Sequence, residues 1–459
     1  MGDRWVLAWG GGAVAFGGAS LLVPLYILRL GATPFDLGLL AALAAVVGAP
    51  GAVVFGHLAS QAARRRRLVV LTLGTTAVVL ALIPLLTSIT GVIVANAVLW
   101  LVVAAAGPVV TMLVVDAAAE NEWSARIAAV NRAYGYGWAG GLLLGMGWPL
   151  LAGQLFTPVT AERALFWVLA GVAALSTLAA SWTLPLSSPA PNPPTGFRAR
   201  HLARLLAQSR PGIRAATFAL PTTLLYWASR GWRRPRLRIA SPLYRFFLAA
   251  GLFFAGFGVF WAPLPHLLRA IGLDGGRIFA LYFVSSLASA VLYRRVGRVA
   301  SRRNESRFAA GALAVRGLLF PVVALVTGLG ATALGSVLLG AALLAIGVTW
   351  AVIAVVGTSI VTRLAPADAR STALGTYVAI GALAGAAGSI LGGWLATVGY
   401  PLAFGVAGGL VVLGAALVAT IRSPEAGLEE GPEQHAGDGD QDRPVADPQA
   451  GVGGSGTDA

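Results

Sequence analysis

Residues 56–65 read GHLASQAARR and residues 297–301 read GRVAS, so one short pattern returns 241 positions later. Both copies close a long apolar run and open a basic one: Arg64 to Arg67 follow the first, and Arg302, Arg303 and Arg307 follow the second. Gly31 and Gly272 share the offset of 241, while Arg126, Gly137 and Gly141 match Arg370, Gly381 and Gly385 at 244. One match means little in a chain with 59 Gly. Matches that keep their order across two halves read as an internal duplication.

Outward from these stretches, apolar runs of membrane-spanning length fill the chain. They are Val6 to Leu28, Leu37 to Ala59, Leu68 to Leu86, Val92 to Val115, Ala133 to Leu155 and Ala164 to Leu184. After an interruption come Phe246 to Leu268, Ile278 to Val296, Phe308 to Thr327, Thr332 to Val361, Ala373 to Ala396 and Pro401 to Ile421. The runs are rich in Gly and Ala and do not alternate polar with apolar, which predicts a helical bundle and not a barrel. The expected fold class is an all-α integral membrane protein of 12 transmembrane helices, six plus six, with a pseudo-twofold axis along the membrane normal. The expected divisions are 1–184 and 244–422 for the two halves, 185–243 for a cytoplasmic central loop and 423–459 for an acidic tail. Composition agrees, with 57% hydrophobic and 11% charged residues in 459 and a mean hydropathy of +0.78. The first run is too long for a signal-peptide core and is expected to stay in the mature protein.

The net charge of +15 is carried by arginine alone, since the chain has no Lys. The last 37 residues hold nine of the 18 acids, and residues 1–422 retain 32 Arg against 9 acids. With the N-terminus inside, 27 of those arginines fall on the cytoplasmic side, and Arg29, Arg163, Arg269 and Arg277 fall outside. Short cytoplasmic loops retain Arg, so the expected protein is a multi-pass protein of the cell membrane with both termini cytoplasmic. The charge then has a topological explanation, and no nucleic-acid partner is expected. In the central loop, FRARHLARLLAQS puts Phe197, His201, Leu202, Leu205 and Leu206 on one helical face, with Arg198, Arg200 and Arg204 elsewhere. Such a helix is expected to lie on the lipids of the inner leaflet. The apolar stretch Ala215 to Ser229 is short and holds Pro221, and a span there would invert the second half against its arginines.

In this layout the chain resembles the major facilitator superfamily, whose members carry G-x-L-x-D-x-x-G-R-R between helices 2 and 3. Gly56, Leu58, Arg64 and Arg65 match that motif, while Ser60 replaces its Asp and Ala63 its second Gly. The resemblance covers residues 1 to about 422 and implies alternating access. It implies that Arg64 latches the cytoplasmic side through Asp116, unless those residues only set topology and end a helix. In the second half the polarity reverses, with Glu305 as acid and Arg363 as base.

Further site candidates come from polar and aromatic residues inside the runs. Arg316 lies roughly 12 Å into its helix, where it either snorkels to the interface or contacts substrate. Tyr282, Ser286, Ser289 and Tyr293 share one helical face, as a translocation path or as ordinary small-residue packing. Trp100, Trp261 and Trp350 sit inside helices as substrate contacts or core, and Asn96 is a further path candidate. The zero Cys and the scattered His57, His201, His266 and His435 argue against a metal site, and no cofactor is expected. Without Lys there is no phosphate-binding loop, so no ATP motor. No acid lies near a predicted midplane, which leaves proton coupling unsupported.

The expected function is secondary active transport of a small solute by a monomer, leaning towards export of a neutral or amphipathic compound. The export lean comes from GYGWAGGLLLGMGWP in helix 5, loosely like the superfamily's exporter signature though with different spacing. The alternatives are a nontransporting membrane sensor or scaffold and an uptake permease for a neutral solute such as a sugar. An enzyme is not expected, because that chemistry needs clustered Asp, Glu or His in a loop at the membrane surface, and Asp116, Glu120 and Glu122 are the only such cluster.

Overall fold

Backbone groups in hydrocarbon must be satisfied within their own segment, and this chain does so with helices. The structure is a computed structural model that describes residues 4–58, 65–117, 123–184, 241–300, 304–366 and 370–421, with some helical side chains, Asp116 among them, outside that description. The first elements are α1 (Arg4–Arg29), α2 (Pro34–Leu58), α3 (Arg65–Leu82), α4 (Ile89–Ala117), α5 (Trp123–Ala152) and α6 (Pro158–Thr183). Then follow α7 (Pro242–Trp261), the short α8 (Leu264–Ala270), α9 (Gly275–Ala300), α10 (Glu305–Val326), α11 (Ala333–Leu364), α12 (Arg370–Val398) and α13 (Tyr400–Ala419). Nine helical segments among the described residues are long and apolar enough to cross a membrane. Large apolar side chains such as Leu150, Trp182, Leu325 and Val337 are exposed around the bundle, a surface suited to lipid and not to water. The protein is an all-helical, multi-pass membrane protein.

The run expected as one span over Phe246 to Leu268 remains one candidate span, Pro242–Ala270, but is built of two helices. Ser241 caps α7 by accepting from the Tyr244 N–H, which starts it four residues earlier. Pro263 and Pro265 then interrupt it and reseat the chain as α8. The predicted central-loop helix and acidic tail lie outside the described residues.

The duplication reappears as matching turns. Gly31 and Gly272 have φ of 89° and 90°, the left-handed region that glycine occupies without strain. After each, the chain closes the preceding helix identically: Ala32 donates to the Ile27 carbonyl and Leu273 to the Leu268 carbonyl. Two residues on, Thr33 accepts from the Asp36 N–H, and Asp274 from the Arg277 N–H. Each of these pairs is separated by 241.

Helix pairings recur as well: α1 with α5 and α6, α2 with α4, and α3 with α4 and α6. Correspondingly, α7 packs on α12 and α13, α9 on α11, and α10 on α11 and α13. Glycine sets the closest approaches. A Cβ on Gly137 or Gly141 would meet the carbonyls of Gly10 and Val14 across the α1/α5 contact. In the α7/α12 contact that role passes from the sequence matches Gly381 and Gly385 to Gly388 and Gly392, which face the carbonyls of Ala255 and Val259. The Phe254 ring stands against Gly381 and fills the space about two turns earlier.

Candidate translocation site

One end of the bundle gathers the turns after α1, α3, α5, α8 and α12. The Tyr26 hydroxyl reaches the carbonyls of Pro84 and Leu86 at 3.1 and 3.0 Å, and Trp148 donates to the Ala161 carbonyl. His266 and Tyr400 share a hydrogen bond that ties α8 to the α12–α13 turn. The described arginines at this end are Arg29, Arg163, Arg269 and Arg277, so it is the arginine-poor end.

The first six helices meet the later ones through α2 against α12 and α5 against α9. The closest of these approaches lie towards the arginine-poor end. A Cβ on Gly38 would strike the Ser389 carbonyl, and one on Gly393 the Pro34 carbonyl. Across the other pair, the Phe279 ring lies against Gly145, and Gly276 lies against Pro149 and Met146.

Over this seam sits Glu162, a residue the sequence reading passed over. One carboxylate oxygen pairs with Arg29 at the end of α1, and the other pairs with Arg269 of α8 at 3.3 Å. Its side chain is 13% exposed, so the pairs are only partly screened by water. The partners stand 133 and 107 positions away in sequence, and attention to midplane acids alone hid an acid at the membrane edge. The available signal was that Glu162 lies between two runs at the end predicted to carry Arg29, Arg163, Arg269 and Arg277.

Arg316 neither snorkels nor reaches an interface. It is 2% exposed, with Nη1 donating to the Ile346 carbonyl at 2.8 Å and to Thr349 Oγ1 at 3.3 Å. Its Cζ lies 4.4 Å from the Phe257 ring centroid, 5.5 Å from Trp350 and 5.6 Å from Phe320. Tyr293 lies beside it, close enough to interact electrostatically with the guanidinium. Burying a guanidinium costs several kcal/mol. Cation–π contacts of about 0.5–2 kcal/mol each and hydrogen bonds from a charged donor offset that cost. No Asp or Glu among the described residues pairs with it.

The other candidates distribute around this cage. Trp350 joins it, whereas the Ser289 hydroxyl donates to the Ser286 carbonyl of its own helix. Trp261 and Tyr282 form a separate edge-on pair at 5.3 Å between α7 and α9, and Ser286 is half-buried. In the first half, Trp100 lies 6.3 Å from Trp138, and with Phe16, Ser20, Leu99 and Val103 they line a cleft with room for about one water. Asn96 is buried on α4.

At the arginine-rich end, Arg363 Nε stands 3.4 Å from Glu305, whose other oxygen accepts from Ser359 at 2.8 Å. Arg64 and the Asp116 side chain lie outside the described residues. Among the described residues, no group of three or more His, Asp or Glu could hold a metal ion.

A search of curated proteins finds no match. The fold is shared with the human organic anion transporter MFSD10 (TETRAN), at a TM-score of 0.54 and 20% identity over 91% of this chain and 98% of that one. The nucleoside transporter NupG is similar at a TM-score of 0.67 and 13% identity, over the same shares of each chain. The family model of the Major Facilitator Superfamily matches residues 8–353 and again 246–448, a second match that starts inside the first, as a duplicated chain would give. With its recurring helix pairings and its seam of glycines between them, the chain belongs to the Major Facilitator Superfamily of membrane transporters.

Proposed function

We propose that the chain is a secondary transporter that moves a small amphipathic solute across the cell membrane by alternating access, in the direction of export. In this reading residues 1–184 and 244–422 are two six-helix halves related by an axis along the membrane normal. Residues 185–243 lie on inner-leaflet lipid and 423–459 form a cytoplasmic tail. The protein works as a monomer with both termini inside, which makes the arginine-poor end the outer one. One observation carries the proposal: at that end the halves meet through α2/α12 and α5/α9, with the Glu162–Arg269 pair across the seam. A charge pair spanning two bodies stabilises one packing and is lost in the other, as a two-state transporter requires. The aromatic cage around Arg316 suits a solute with an apolar body. Both structural neighbours are named as transporters of small organic molecules, which supports that solute class.

Purified protein in liposomes tests the proposal. Some member of a solute library should show counterflow, and repeating the assay with and without a proton or sodium gradient reports coupling. No exchange of any solute, with no ligand-dependent rise in melting temperature, would favour the sensor or scaffold instead.

A further inference from the structure

Arg316 makes only part of the bonding it is built for. A guanidinium offers five N–H donors, and the Nη1 donors face Ile346 and Thr349. Its Nε is buried without a hydrogen-bond partner. Nε and the neighbouring Nη2 form the fork that a carboxylate fills with two parallel bonds. The rest of the cage holds Phe257, Phe320, Trp350 and the Tyr293 hydroxyl, with no second cation and no anion among them. Tyr293 and Trp350 are only partly buried, so the cage has one polar, partly open wall.

From this geometry we infer that the Arg316 cage is the anion subsite of the transported solute, and that the solute is an organic acid with one negative charge on an apolar or aromatic body. The charge docks on the Nε edge of Arg316, and the body lies against Trp350 and Phe257. One guanidinium matches one negative charge, which favours a monocarboxylate over a phosphate dianion. The inference rests on the transporter reading and names the class of its amphipathic solute.

Matched acids and amides test it on the purified full-length protein in nanodiscs. Benzoate, 1-naphthoate and indole-3-acetate are compared with their primary amides by calorimetry and tryptophan fluorescence. At least one acid should bind tighter than its amide by about tenfold or more, the difference a charge-assisted bidentate contact supplies. This comparison needs no variant. In Arg316→Gln that preference should fall towards one, and Arg316→Lys should retain part of it, because the charge remains while the fork is lost. If no acid outperforms its amide in the native protein, or if a monodisperse Arg316→Gln keeps the full preference, the inference is overturned. Counterflow separates this failure from that of the transporter reading: exchange of amides without acid preference sinks the anion subsite alone. Exchange of neither acids nor uncharged solutes sinks both.

Discussion

Replacing Glu162 by Gln removes the charge that faces Arg29 and Arg269 while keeping the shape of the side chain. At 3.3 Å and an effective dielectric of about 20, the gross attraction across the seam is roughly 5 kcal/mol. Arg269 is 25% and Glu162 13% exposed, so solvent and side-chain ordering reduce the net to ~1 kcal/mol. Only the Arg269 contact joins the two sets of helices; the Arg29 contact lies within the first. The substitution therefore shifts the balance away from the closed arginine-poor end by about fivefold. The chain has no Cys, so a single Ser389→Cys gives a thiol without background. Ser389 is 7% exposed, and its carbonyl faces Gly38 in the seam. Labelling by a membrane-impermeant maleimide should quicken about fivefold in Glu162→Gln. Arg269→Gln should do the same, with no added effect in the double variant, whereas Arg29→Gln should do less. An unchanged labelling rate in Glu162→Gln, or additive effects of Glu162 and Arg269, would refute the reasoning.

Other consequences are local. Gly137→Leu should drive α1 from α5, because the side chain must occupy the space of the Gly10 carbonyl; folded yield on size-exclusion chromatography should collapse, while Gly171→Leu, at an exposed position with nothing within 4 Å, should be tolerated. Tyr26→Phe should cost about 1 kcal/mol in denaturant melts, since the Pro84 and Leu86 carbonyls lose their donor. Arg363→Ala should destabilise by only ~0.5 kcal/mol, because that side chain is 51% exposed and Ser359 still donates to Glu305.

Much of the fold could be read from patterns local in sequence. Gly31 and Gly272 announce their turns because only glycine sits easily at φ near 90°, and the caps at Thr33 and Asp274 follow from the same short stretches. Glu305 and Arg363 stand at matching ends of neighbouring helices, where a reversed-polarity pair was expected. What escaped depends on residues far apart in the chain. Glu162 acquires meaning only when α1 and α8 arrive beside it. The cage around Arg316 adds Phe257 and Trp350 from two other helices to Phe320 one turn along its own, and periodicity says which face a residue occupies, not which neighbour it meets across helices. The break at Pro263 was hidden because α7 and α8 read as one apolar run.

The account turns on the two ends opening in alternation, and distances between paired spin labels report that directly. Leu155→Cys with Ala270→Cys spans the arginine-poor end, and Arg132→Cys with Val299→Cys spans the arginine-rich end, all at exposed positions. In nanodiscs, Glu162→Gln should lengthen the first distance and shorten the second, as two populations exchange weight. A single distance at each end, unmoved by Glu162→Gln, would contradict alternating access in this protein.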